Sequence, residues 1–206
     1  MAGRNKWISL GVLALLIALL PLFFPSGYYY RVGALIFVNA LSVVGLVILI
    51  GYAGQISLGH AGFAGIGAYA CALAPEHLGL HPALAVLLGA VVSGVMAALI
   101  GKPILRLKGY YLAVATLGFG ILVSMVLTNE RALTGGPDGM NVADLGLRGL
   151  LRDMGWRLSG GEFWYMICGV VLLIGAWLAL NLFDSPSGRA MRALHGSEVA
   201  ASTVGV

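Results

Sequence analysis

Charged residues interrupt this chain at intervals, and long apolar stretches run between them. Forty-three consecutive residues, from Val32 to Ala74, contain no Asp, Glu, Lys or Arg. As one helix it would be about 65 Å long at roughly 1.5 Å per residue, over twice the ~30 Å hydrocarbon core of a bilayer. It must cross a membrane more than once or turn back inside it. The pattern predicts six apolar stretches, near Trp7–Phe24, Val32–Ile50, Tyr52–Ala74, Ala83–Gly101, Tyr110–Leu127 and Phe163–Phe183. Each is at or near the length of a spanning helix. All twenty charged residues fall outside them. The expected fold is all-α: a polytopic membrane helix bundle of about six spans, with a broken or re-entrant third helix.

The third stretch is the unusual one. It is rich in glycine (Gly51, Gly54, Gly59, Gly62, Gly65, Gly67) and carries Gln55, Ser57 and His60. Anchoring in lipid needs only leucines, so polar groups and glycines at membrane depth suggest backbone held close to backbone around a path. Small residues recur every fourth position in two places, Ala53, Ser57, Ala61 and Gly65, and Gly89, Ser93, Ala97 and Gly101. Helices in lipid associate by close packing, which small ridges permit. Ordinary packing accounts for the second ridge. The first also contains the helix-weakening Gly51-Tyr52-Ala53-Gly54 and a cluster of hydrogen-bonding groups. Broken helices are tolerated in membranes only where protein or a water-filled cavity supplies partners. Pathway lining and packing both remain open for Gln55–His60. Gln55, Ser57, Gly59 and His60, with Thr116 and Gly118 of the fifth stretch, are the candidate pathway residues.

Composition adds weight to the membrane reading. The chain is 60% hydrophobic and 10% charged, and 31 of its 206 residues are glycine, about twice the usual ~7% share. A net charge of +4 would suit nucleic acid, but the basic residues are scattered among short loops, as topology determinants are. No nucleic-acid partner is expected. Arg4 and Lys6 before an apolar run resemble a signal peptide, yet no A-x-A-like site follows Phe23-Phe24-Pro25-Ser26, so an uncleaved first helix is expected. The basic Met1–Lys6 and Lys102–Lys108 should share the cytoplasmic side with Asp184–Val206. Tyr28–Arg31, Pro75–Pro82 and Thr128–Glu162 would then lie outside. Cys71 and Cys168 sit in apolar stretches and read as small packing residues.

Several chemistries are excluded. With no charge inside a span, proton relays and voltage sensing lack their usual groups. Gly94–Lys102 fails as a phosphate loop, because Met96 stands at the required first glycine and Pro103 follows the lysine. Ser57 misses G-x-S-x-G at its first glycine. A helix would bring Ser57 near His60, but no third group orients that histidine for hydrolysis. A haem reading of His60, His77 and His81 is weaker still. No catalytic residue, metal or cofactor is expected, and the chain is not expected to be an enzyme.

The last stretch differs from a simple tail. Ser185-Pro186 offers a helix start, with serine as cap and proline in the first turn. Gly188 to His195 would form a short amphipathic helix, interrupted by Gly196, with a second turn from Ser197-Glu198 toward Gly205. Two short helices joined at a glycine make a knob suited to a groove on a soluble partner. The alternative is an interfacial helix lying on lipid.

Four blocks together carry a family resemblance. They are Gly51–Ala74, Arg106–Gly120 with its Lys108-Gly109-Tyr110-Tyr111, the loop Leu133-Thr134-Gly135-Gly136-Pro137-Asp138-Gly139, and Gly188–Val206. In order and spacing they resemble the permease subunits of branched-chain amino acid ABC transporters, the LivM type, over essentially the whole chain. The resemblance implies a bacterial plasma (inner) membrane importer whose translocation is driven by ATP hydrolysis on partner subunits. Its partners would be a sister permease subunit, two cytoplasmic ATPase subunits, and a periplasmic or lipid-tethered amino-acid-binding protein, besides membrane lipid. Residues 1–183 would be the transmembrane permease domain and 184–206 the cytoplasmic coupling loop. In that loop Gly188, Arg189, Arg192, Glu198, Ala200, Ala201 and Gly205 would meet the ATPase. Ile121 stands where the family often has an acidic residue, and His195-Gly196 where Arg and an acidic residue are usual. Family chains continue with further spans. The resemblance therefore implies the N-terminal two-thirds of the family length, a truncated permease expected to be inactive alone. Related cargoes such as urea or short amides, a secondary transporter working without ATP, and a non-conducting structural subunit are the alternatives.

Overall fold

The computed structural model describes residues 2–23, 26–107, 109–142, 159–197, 201 and 203. Among these the regular structure is helical, with no strand. Among the described residues, five helices are long and apolar enough to cross a membrane: Lys6–Phe23, Gly27–Tyr52, Pro82–Ile104, Tyr110–Asn129 and Gly160–Asp184. At most 17% of any of these spans is buried, which leaves most apolar side chains facing outward, as lipid-facing helices do. The chain is a polytopic helical membrane protein. It divides into two compact units, Met1–Gly54 with Arg148–Val206, and Gln55–Leu147.

The first unit contains α1 (Ala2–Phe23) and α2 (Gly27–Leu46), which ends in a π turn, Val47–Tyr52. It also contains the long α7 (Gly160–Asp184) and the short α8 (Pro186–Gly196). The helix α7 packs mainly on α2 and also touches α1. Three glycines make room for large side chains: Gly33 lies under the Tyr165 ring, Gly169 faces Ile17 and Phe37, and Gly175 faces Leu41. In lipid this close approach, rather than exclusion of water, holds helices together. Phe37, Tyr165 and Leu172 form the buried centre. The Tyr165 hydroxyl donates to the Ile17 carbonyl at 2.8 Å, so its polar end is satisfied where no water competes. The Lys6 ammonium pairs with the Asp184 carboxylate, which puts the start of α1 and the end of α7 at one end of the unit.

The second unit contains α3 (His60–Leu78), α4 (Pro82–Ile104), α5 (Tyr110–Asn129) and the single turn α6 (Arg131–Thr134), followed by a 3₁₀ turn, Gly136–Asp138. Here α3 packs chiefly on α4 and then on α5. A Cβ at Gly89 would lie 2.6 Å from the Gly67 carbonyl oxygen, and Ser93 Oγ donates to Phe63 O at 2.9 Å. Gly89 and Ser93 of the second small-residue ridge therefore meet α3 directly.

Helix boundaries differ from the apolar count. Tyr28–Arg31 lies in the opening turns of α2, not in a loop. The expected loop Pro75–Pro82 shrinks to Gly79–His81, because α3 runs through Pro75 to Leu78 and closes on Gly79 at φ +60°. Lys102 belongs to the last turn of α4, and α7 starts at Gly160 rather than Phe163. The reason is common to all four. A helix end needs its backbone groups satisfied, not an apolar residue, and long polar side chains reach the interface from there. The ridge Ala53, Ser57, Ala61 and Gly65 does not form one helical face, since the chain from 53 to 59 is not helical. Asp144 and Asp153 of the expected outer segment lie outside the described residues.

Candidate functional site: a broken span and a helical elbow

Within the second unit, Gln55–Gly59 is an irregular segment against α5. Its backbone donors lie outside any helix and need other partners. The Leu58 N–H donates to Thr116 Oγ1 at 3.0 Å, and the Thr116 hydroxyl donates to the Ala113 carbonyl at 2.9 Å. One buried hydroxyl thus joins the loop to α5. A Cβ at Gly59 would stand 2.6 Å from the Thr116 carbonyl oxygen, and one at Gly62 would stand 3.2 Å from the Gly120 Cα. The rings of Phe63 and Phe119 lie beside this contact, their centroids 4.7 Å apart.

Ser57 is buried and His60 half-buried as the first residue of α3. Gln55 Oε1 is buried without a hydrogen-bond partner among the described residues. Gln55, Ser57, Gly59, His60 and Thr116 are thereby gathered around one segment. Gly118 is not, having nothing within 4 Å of a Cβ built on it. The Ser57–His60 dyad does not arise. Ser57 lies outside α3, so helical spacing does not apply, and no hydrogen bond joins the two among the described residues. Sequence reasoning missed the Leu58 amide and Gly120, although Gly120 stood in a quoted block; Gly62 was among the glycines expected to bring backbone close to backbone.

Within the first unit, the other half of the break meets α8. The π turn ends with Ala53 N–H donating to Ile48 O at 3.2 Å, and Gly54 follows at φ +68°. That left-handed conformation suits glycine. His195 Nδ1 lies 2.8 Å from where a Gly54 Cβ would be. The Tyr52 ring stacks on Phe183, centroids 3.7 Å apart and planes 5° off parallel, and the Arg192 guanidinium lies 5.9 Å from the Tyr52 centroid. Such a cation over an aromatic face is attractive by about 0.5–1 kcal/mol or more.

The elbow between α7 and α8 is capped from both sides. Ser185 Oγ accepts from the Gly188 N–H at 3.1 Å, with Pro186 in the first turn. Gly188 is buried, and a Cβ there would collide with the Leu182 carbonyl oxygen. Arg189 Nη1 donates to Asp184 O and Arg192 Nη2 to Phe183 O, each at 3.0 Å. The two arginines thus satisfy terminal carbonyls of α7, which a helix end leaves orphaned. Each guanidinium keeps further donors free for other groups. After Gly196, Ser197 is extended, while Ala201 is helical and buried. Glu198, Ala200 and Gly205 lie outside the described residues.

Comparison with known proteins gives a consistent picture. A sequence model of the family described as "Branched-chain amino acid transport system / permease component" matches residues 29–206. The high-affinity branched-chain amino acid transport system permease protein LivM of Salmonella typhimurium (strain LT2) is 33% identical over 181 residues. The protein of the same description from Escherichia coli (strain K12) is 32% identical over 181 residues. Each match covers 79% of this chain but 43% of the relative. The chain thus spans less than half the length of these relatives, where two-thirds was expected. No solved structure matches it significantly.

Proposed function

Since this chain belongs to the branched-chain amino acid transport permease family, we propose that it serves as a membrane-spanning permease subunit of an ATP-driven importer of branched-chain amino acids in a bacterial inner membrane. Its partners are a sister permease, two cytoplasmic ATPases and an external amino-acid-binding protein. Residues 1–183 form the membrane domain and 184–206 the coupling loop. The relatives are permease components rather than enzymes, and this chain makes and breaks no bond itself.

The observation that carries the reading is the seat of α8 on the end of the broken helix. Arg192 lies over Tyr52, Tyr52 stacks on Phe183, and His195 abuts Gly54. A displacement of α8 by an ATPase is therefore felt at Tyr52–Gly54, the residues that lead into the irregular segment. That is a local contact event biasing a two-state element, as such switches require. Within the segment, Gln55 Oε1 and the groups around Ser57 and Thr116 offer hydrogen-bond partners to the polar end of an amino acid. A buried amide oxygen without a partner costs about 1–3 kcal/mol, which a bound ammonium would offset.

The test is uptake of labelled leucine into proteoliposomes holding the assembled transporter, with ATP supplied to the ATPase side. Tyr52→Ala together with Arg192→Met should lower uptake about tenfold while the ATPases still co-purify. Uptake that needs no ATP would mark a secondary transporter. Competition by urea or acetamide, with none by valine, would reassign the cargo.

A further inference from the structure

A second polar site lies away from the broken span, wholly within the second unit. The C-terminal turn of α3 and the segment 131–142 enclose a cleft of about 590 Å³. That volume falls inside the ~300–1,000 Å³ range of small-molecule sites. Its walls carry charges of opposite sign, Glu76 from α3 and Arg131 from α6, with the neutral polar groups of His77 and Asn141. Leu133 and Met140 supply an apolar part of the lining.

The Arg131 wall is preformed. Thr134, 4% exposed, has one hydroxyl proton shared between Leu127 O at 2.6 Å and Glu130 O at 2.7 Å, and the Gly136 N–H donates to Thr134 Oγ1 at 3.2 Å. Gly135 at φ +75° closes α6 by donating to Arg131 O. Gly136, at φ +67°, leaves room for the Arg131 stem, since a Cβ there would lie 2.7 Å from Arg131 Cγ. A turn ordered in this way holds the stem of Arg131 along one wall and lowers the ordering cost of binding a ligand there.

We propose that this cleft binds a free α-amino acid with an aliphatic side chain. Arg131 takes its carboxylate, Glu76 its ammonium, and Leu133 and Met140 its side chain. A guanidinium matches a carboxylate by paired donors, and opposite charges on separate walls select a zwitterion over either single ion. The inference rests on the permease reading for its cargo class. In the orientation expected from the basic loops the C-terminal end of α3 and the segment 131–142 lie on the outer side.

Binding is measured by titration calorimetry on the purified chain in lipid nanodiscs, with leucine, leucinamide (no carboxylate) and 4-methylpentanoate (no ammonium) as probes. The wild-type chain should prefer leucine to each of the other two by at least tenfold. Arg131→Gln should erase the preference over leucinamide, and Glu76→Gln the preference over 4-methylpentanoate. Arg131→Lys, which keeps the charge, should retain most of it. Absence of leucine binding, or selectivity unchanged by both neutral variants, overturns the proposal. ATP-driven leucine uptake by the assembled transporter is scored separately. Its presence alongside unselective binding sinks the cleft alone, and its absence alongside selective binding sinks the permease reading alone.

Discussion

A methyl group at Gly59 would stand 2.6 Å from the Thr116 carbonyl oxygen, a backbone atom that cannot step aside. Gly59→Ala should therefore destabilise the second unit by about 1–3 kcal/mol, the usual cost of overpacking. Gly118→Ala, where a Cβ meets nothing within 4 Å, should be near neutral. Thermal unfolding in detergent, followed by circular dichroism, compares the two, and equal losses would mean that the loop–α5 contact is not tight. Residues such as Gln55, Ser57 and His60 were legible in the sequence because polar groups stand out in a charge-free run. The role of Thr116 was not. A threonine in a membrane helix ordinarily bonds back to its own helix. Thr116 does so to Ala113, and it also accepts from Leu58, 58 positions away, a distance over which no local pattern carries information.

At the level of elements, α8 is the most exposed to test. Proline at Ala193 would remove an N–H from the middle of an eleven-residue helix and break it at a cost of ~3 kcal/mol or more. In the assembled transporter, Ala193→Pro should abolish ATPase co-purification or leucine uptake. Unaltered association and uptake would show that α8 is not the docking element. The start of this helix was legible, because Ser185-Pro186 is a cap followed by a first-turn proline. The engagement of Arg189 and Arg192 with the α7 carbonyls was not, since spacing tells which face they share but not what lies opposite. A start signal was also overlooked for α7. Ser159 and Glu162 form a reciprocal capping box, Ser159 N–H to Glu162 Oε2 at 2.8 Å and Glu162 N–H to Ser159 Oγ at 3.3 Å, and S-x-x-E is its written signature.

For the whole molecule the sharpest expectation is sidedness. Charges on short loops would put Met1–Lys6 and Asp184–Val206 on the cytoplasmic side, and the Lys6–Asp184 pair is in keeping with a shared side, since it joins the start of α1 to the end of α7. Single cysteines at Ser187 and Asp138, in a background lacking Cys71 and Cys168, report this through an impermeant thiol reagent. Asp138→Cys should label from outside intact cells and Ser187→Cys should not. The reverse pattern would invert the assignment.

What the sequence determined by itself was the class of structure and the location of its weak point. Apolar stretches in lipid must satisfy their own backbone, so they become helices, and the glycine-rich run after Gly51 marks where that helix fails. Tertiary structure decided the rest. It set helix ends by capping rather than by hydropathy, as at Gly79 and Ser159. It chose which glycines receive a neighbour, Gly59 and not Gly118. It brought Glu76 and Arg131 to one cleft. These choices depend on which side chains meet across helices, and in lipid that is fixed by close packing and hydrogen bonds between distant segments, which the periodicity within any one helix does not encode.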